Sequence, residues 1–254
     1  MPTALSVNLN KIALLRNSRD SDYPSIATFA QLAIDAGADG LTIHPRPDQR
    51  HIRVKDVLPL ADLCRTNPSI EFNIEGNPFA GALSSANGLA HYPGLLSLIE
   101  RARPDQVTLV PDSNNQLTSD HGFDLKRDGT RLKHILRQLK DWGIRTSLFM
   151  DPKLEQIELA KAIGADRIEL YTGPYAAAFE KSPSIIEEYR AATKYAHEIG
   201  LGVNAGHDLN LQNLPLFLSI GHIAEVSIGH ALTVDALLSG YKSAILNYSR
   251  CCKK

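Results

Sequence analysis

The sequence predicts an α/β fold: a (β/α)8 TIM barrel with extra helices, with residues 1–254 forming a single domain. Three observations point there. An amphipathic helix, a glycine and a short β-branched strand recur in that order, as in "FAQLAIDAGADGLTIHP" and "IELAKAIGADRIELYTG". The joins between helix and strand are short, which suits parallel strands linked by helical crossovers. Eight such strands fit into 254 residues, near the usual length of about 250 for this barrel. A doubly wound open sheet is the rival arrangement, but no Gly-rich dinucleotide fingerprint follows the first strand.

The first strand is expected over 5–10 and carries Asn8 and Asn10, with Lys11 just beyond. The second, over 41–45, follows a helix stopped at Gly37 and ends at His44. Arg46 and His51 come next, in the two-proline loop "HPRPDQRH". The third strand, 70–75, holds Glu71, Asn73 and Glu75, and the fourth, 106–111, leads to Asp112. The fifth, 145–151, follows Gly143 and ends at Asp151. The sixth, 167–172, follows Gly164 and holds Glu169 and Thr172. The seventh, 202–206, follows Gly200 and runs into Gly206, His207 and Asp208. The eighth, 225–229, ends in Gly229-His230 before a final helix over about 233–250. The four glycines sit where a helix ends most easily in a left-handed residue. Two long connections, 75–94 and 111–125, leave C-terminal strand ends, where a lid over a site would lie.

Composition narrows the partners. A hydrophobic share of 43% and a charged share of 22% are those of a soluble globular protein. The net charge is −1 without a long basic run, so neither nucleic acid nor a membrane surface is an expected partner. Cys64, Cys251 and Cys252 form no Cys-x-x-Cys pair, which argues against a disulfide scaffold or zinc ribbon and for a cytoplasmic location. "MPTALSVNLNKIALLRN" is interrupted by Asn8, Asn10 and Lys11, unlike a signal peptide, and no apolar run is long enough to span a bilayer.

In such a barrel the C-terminal strand ends converge on one mouth, and polar groups recur at that end of nearly every strand. His44 can act as a base near neutral pH, and Arg46 can clamp a phosphate through two parallel hydrogen bonds. Taken alone, the same segment reads as a solvated basic loop. Gly206-His207 and Gly229-His230 each stand before a helical run, where free N–H groups bind anions and where barrels often hold phosphate. Glycine there lets the backbone approach a ligand closely. Glu71 and Glu169 lie in apolar runs, inside a barrel expected to be filled by branched apolar side chains. Each therefore needs a partner, structural or catalytic. No His-x-His or His-x-x-x-His spacing supports a metal.

Taken together, "VNLNKIALLRNSR", "GADGLTIHPRPDQRHI", "IEFNIEGN", "QLTSDHGFDL", "IELYTGPYA", "GLGVNAGHDL" and "VSIGHAL" resemble, in order, the pyridoxine 5′-phosphate synthase family. The resemblance implies condensation of 3-amino-2-oxopropyl phosphate with 1-deoxy-D-xylulose 5-phosphate to pyridoxine 5′-phosphate, phosphate and water. It implies no redox cofactor or essential metal, small phosphorylated substrates as partners, and a cytoplasmic homo-oligomer, an octamer built as a tetramer of dimers. By position, His44, Glu71 and His207 match the family's catalytic acid/base groups. Asn8, Asn10, Lys11, Arg19, Arg46, His51, Thr118, Asp208, Gly229 and His230 match substrate contacts. Two positions depart from the pattern. Asn10-Lys11 stands where many members have Asp-His, and Asp208 stands where Gly is common. Glu75 is a stand-in base for Glu71. The competing enzyme is a sugar-phosphate aldolase or epimerase, using a Lys11 Schiff base or a metal. A non-catalytic barrel that only binds phosphorylated ligands is the third reading.

Overall fold

A computed structural model describes residues 2–19, 21–84, 89–114 and 116–253. Eight parallel strands close into a barrel in chain order. They are β1 (Ala4–Asn8), β2 (Gly40–Ile43), β3 (Glu71–Gly76), β4 (Gln106–Leu109), β5 (Arg145–Met150), β6 (Arg167–Leu170), β7 (Gly202–Ala205) and β8 (Ile223–Ile228). β8 closes the ring on β1, with Ala4 opposite Glu225 and Val7 opposite Ile228. All eight expected strands are present, with their ends moved by no more than two residues.

The helices form the outer ring and the additions to it. They are α1 (Asn10–Asn17), α2 (Ile26–Asp35), α3 (Val54–Arg65), α4 (Leu95–Ala102), α5 (Leu125–Asp141), α6 (Leu154–Ile163), α7 (Gly173–Ala178), α8 (Ile186–Glu198), α9 (Leu214–Leu218), α10 (His230–Ser239) and α11 (Tyr241–Cys252). Gly164 ends α6 at φ 98°, a conformation a side chain would resist, and Gly37, Gly143 and Gly200 likewise take positive φ. Among the described residues no helix is long and apolar enough to cross a membrane.

Three expectations change. The first strand stops at Asn8, not at residue 10, because the Asn8 side-chain oxygen accepts the Asn10 N–H (2.9 Å) and turns the chain into α1. Asn10 and Lys11 are therefore first-turn helix residues. The single helix expected over 233–250 is two helices, α10 and α11, broken at Gly240 with φ 84°. The third change concerns the barrel interior, which is polar.

Leu5, Val7, Leu41, Ile43, Phe72, Ile74, Val107, Leu109, Ile168 and Leu170 alternate along their strands with polar residues, and these apolar side chains belong to the main buried cluster. The polar set faces inward and bonds across the lumen. Ser6 meets Thr42 (2.7 Å), Asn73 joins Thr42 (3.3 Å) and Thr108 (3.2 Å), and Asn204 on β7 reaches Gln106 on β4 (3.3 Å). A buried polar group is tolerable when its hydrogen bonds are made, and here these residues make them with one another, while among the described residues the Ser147 and Ser227 hydroxyls have no partner. The apolar core lies between strands and helices, and the column it surrounds is hydrophilic.

Candidate active site

The column opens at the C-terminal strand ends into a pocket of about 430 Å³, within the ordinary range for a small-molecule site. Of the residues picked from sequence, Asn8, Asn10, Lys11, His44, Arg46, His51, Thr118, His207, Asp208, Gly229 and His230 line it. They come from β1 and α1, the β2–α3 loop, the long connection after β4, and the ends of β7 and β8. That connection supplies Leu117, Thr118 and Ser119. The other long connection, 75–94, supplies only Glu75, and residues 85–88 of it lie outside the described residues.

Glu71 does not reach the pocket. It is the first residue of β3, at the base of the barrel, and pairs there with Arg145 beside a separate shallow hollow. Four residues of strand, about 13 Å, separate it from the mouth. Glu75 takes the place assigned to Glu71. Its Oε2 lies 3.9 Å from His44 Nδ1 and 3.4 Å from Asn8 Nδ2. Arg19 is likewise outside this pocket. It is exposed beyond the end of α1, eight residues from Lys11, or about 12 Å along a helix axis.

Burial sets the protonation of the central groups. His44 is 6% exposed, and burial first, then the charges of Arg46, His51 and Arg50, push its pKa well below the usual value. Burial, followed by the charges of Glu169 and Asp112, pushes Glu75 well above the carboxylate range. The 3.9 Å contact is therefore one between a neutral imidazole and a carboxyl group that holds its proton unusually tightly. Glu169, deeper in the pocket, is raised to about 8 by burial and by Glu225. Asn10 Oδ1 accepts the His44 backbone N–H (2.9 Å), so α1 fixes the height of His44. His51 is lowered to about 3, chiefly by burial. Its Nδ1 accepts the Ile52 N–H (2.9 Å), which leaves Nε2 as the proton-bearing nitrogen.

The rim is cationic, but its charges are unequally engaged. Arg46 is bound to the Asp112 carboxylate and to the Gln116 carbonyl (3.1 Å). Arg50, which the sequence reading passed over, donates to the same carbonyl (3.0 Å) and to that of Asn114 (3.0 Å). Together they hold the loop after β4 across the mouth. Lys11 has no carboxylate within ion-pair distance among the described residues. His207 Nε2 meets Thr118 Oγ1 (2.9 Å), and its Nδ1 meets Asp208 Oδ2 (2.9 Å). Packing alone requires Gly206: a Cβ there would sit 2.3 Å from the Ser227 carbonyl oxygen of β8.

The sequence offers Glu75 as the stand-in for Glu71, and strand alternation favours it. In "EFNIEG" Glu71, Asn73 and Glu75 share the inner face, and the last of them is nearest the C-terminal end. Arg50 carried no such signal, because a loop has no period to read. Among the described residues no group of three His, Cys, Asp or Glu side chains is placed to hold a metal ion.

A closed parallel barrel with proton-transfer groups gathered in its mouth defines the class: a (β/α)8-barrel enzyme acting on a small molecule. The chain belongs to the pyridoxal phosphate biosynthesis protein PdxJ family, whose profile matches residues 5–254. It is 52% identical over 251 residues to the pyridoxine 5′-phosphate synthase of Xanthomonas campestris pv. campestris (strain B100), covering 98% of this chain and 95% of that one. It is 49% identical over 249 residues to the protein of the same name from Xylella fastidiosa (strain 9a5c), covering 97% and 93%. Among solved structures, thiamine phosphate pyrophosphorylase from Pyrococcus furiosus superposes with a TM-score of 0.58 at 13% identity, covering 98% and 95% of the two chains. That likeness concerns the fold alone.

Proposed function

We infer that the chain condenses 3-amino-2-oxopropyl phosphate with 1-deoxy-D-xylulose 5-phosphate to give pyridoxine 5′-phosphate, inorganic phosphate and water. The observation that carries this is the relation, at about half identity and nearly full length, to proteins named for that synthesis. The mouth supplies groups suited to the chemistry.

The amine of one substrate must add to the ketone of the other and lose water to form an imine. Ring closure then requires removal of a proton beside a carbonyl or imine. Loss of hydroxide and phosphate requires a proton donor and a site for the anion. His44, neutral by burial, is the acceptor for the first transfers, with Glu75 beside it exchanging protons. Glu169, protonated through neutral pH, offers a second carboxyl group below them. His207 is the donor for the departing group. With His44 lowered and Glu75 and Glu169 raised, groups of separated proton affinity share one pocket and can make successive transfers without bulk water.

For the phosphates, the first turn of α10, from His230 after Gly229, presents unpaired N–H groups at the positive end of a helix. Lys11, on α1 beside α10, and His51, on the β2–α3 loop, supply a cation and a donor, with Asn8 at the end of β1. We further place the protein in the cytoplasm as a homo-oligomer, an octamer built as a tetramer of dimers. Leu237 and Leu238 at the end of α10 are 79% and 86% exposed, which favours a covered surface in an assembly.

The test is an end-point assay of purified protein with both substrates, following pyridoxine 5′-phosphate by its absorbance after chromatography. Product dependent on both substrates is expected. Folded protein that forms none overturns the reading. Borohydride trapping of a substrate on Lys11 would point instead to an aldolase.

A further inference from the structure

His207 and Asp208 are held from both sides. Thr172 Oγ1 donates to the His207 carbonyl (2.5 Å), and Asn213 Nδ2 donates to the Asp208 carbonyl (3.2 Å). Between these anchors Asp208 takes φ 61°, the left-handed region that few residues other than Gly, Asn and Asp enter readily. That turn brings its carboxylate back onto the preceding ring, Oδ2 to Nδ1 at 2.9 Å. An ionised carboxylate only accepts, so Nδ1 carries the hydrogen. Nε2 is left facing Thr118 on the loop after β4. Tyr171 packs edge-on against the ring, with centroids 5.2 Å apart.

The charges around the pair favour this arrangement. Asp208 is held below the usual carboxylate range by its bond to His207 first, while Lys11 on α1 and His230 at the start of α10 act in the same direction and partial burial opposes them. Burial first, then the charges of Asp208, Asp120 and Asp151, raise the Tyr171 phenol above its usual range. Lys11 and Asp208, the two departures from the family pattern, thus carry opposite charges that sense one another across the mouth. A carboxylate so engaged is a poor partner for a phosphate dianion.

We propose that Asp208 is a positioning residue: it fixes the His207 imidazole with Nδ1 protonated and Nε2 turned into the pocket, and it does not bind substrate. The proposal rests on the reading of His207 as a proton donor: Nε2 takes up a proton opposite the Asp208 carboxylate and then gives it to the departing group. It replaces the expectation of a substrate contact at Asp208. Fixing the tautomer by a neighbouring carboxylate is a known way to make a histidine useful.

The test combines the tautomer of His207, read by nitrogen-15 NMR in the unliganded protein, with steady-state kinetics. Asp208→Gly fits the left-handed backbone and removes the acceptor. Asp208→Asn also fits it and keeps a weaker one. In wild type the Nδ1–H form is expected. In Asp208→Gly the ring becomes a mixture, and kcat falls about 10- to 100-fold with little change in KM, the scale seen when a histidine loses its orienting partner. Asp208→Asn loses less, and the limb of the pH–rate profile that reports His207 moves in both variants. An unchanged tautomer in Asp208→Gly overturns the proposal, as does a change in KM at constant kcat. Loss of tautomer control with full kcat in both Asp208→Gly and His207→Asn would uphold the positioning and overturn the donor role of His207.

Discussion

At the base of the barrel Glu71 pairs with Arg145, and Glu225 pairs with Arg167 (3.1 Å). Gln106 and Asn204 fill the space between them, each bonded to Glu225. At the mouth Glu75 and Glu169 have the same side chain, and Glu169 is as deeply buried as Glu225, yet among the described residues no arginine or lysine is paired with either. Their neighbours are a neutral histidine, an asparagine and a threonine. The base closes its charges on itself and is finished as a structure. The mouth leaves its carboxyl groups to hold protons and its rim cations to meet an anion. Position along the strand, not residue type, separates support from chemistry.

The largest effect expected from this contrast is at Glu75. Glu75→Gln keeps the size and the Asn8 contact but removes proton exchange with His44. We expect kcat to fall by about 10²- to 10⁴-fold, the usual share of a placed acid/base group, with KM moving far less. His207→Asn should follow with a smaller loss, again in kcat more than in substrate affinity. Equal changes in kcat and KM would make His207 a binding residue.

Glu169 sharpens the contrast through stability. Its folded pKa of about 8 lies above the ordinary 4.5, so the folded state holds that proton more tightly than the unfolded chain does. The resulting stability is full below pH 4.5 and is lost as pH rises through 8. Glu169→Gln, always neutral, should match wild type near pH 4.5 and exceed it increasingly up to pH 9. Each kcal/mol relieved appears as about 2–4 °C in Tm for a chain of this size. A Tm difference that is flat with pH would mean that the Glu169 proton is not held by the fold. Smaller again, Lys11→Met should raise KM severalfold for a phosphorylated substrate and weaken the salt dependence of binding, while kcat stays near wild type.

The sequence carried the barrel because helix, glycine and strand repeat along the chain, and that period survives packing. It carried most of the mouth for the same reason: strand ends are countable. What it hid was the sense of the alternation. Polar residues at every second position, as in "EFNIEG" and "RIEL", read in sequence as isolated polar groups in an apolar lumen; in the fold they are the lumen. The pattern allows Glu71 and Glu169 to point inward but does not say that their inner neighbours are polar too, against the usual apolar filling of such barrels. Arg50 and the Asp208 turn were illegible for another reason. Each depends on a contact between residues far apart in the chain, to Gln116 and Asn114 in one case and from Thr172 to His207 in the other.

The smallest effect expected is the one most able to break the comparison. Glu71→Gln leaves Arg145 with an amide oxygen in place of a carboxylate, and Arg145 keeps its bond to Gln106 (2.9 Å). Both partners are about a third exposed, so solvent screens the pair and the stability lost should stay below about 1 kcal/mol. Removing the Glu71 charge also eases the ionisation of Glu225, which Glu71 otherwise opposes, and this partly offsets the loss. Turnover should remain within about twofold of wild type, since no reacting atom lies near the base. Parallel assays of Glu71→Gln and Glu75→Gln decide the point. If both lose turnover alike, the inner column couples base to mouth and the barrel works as one site; if only Glu75→Gln does, the two ends are separate in energy as they are in geometry.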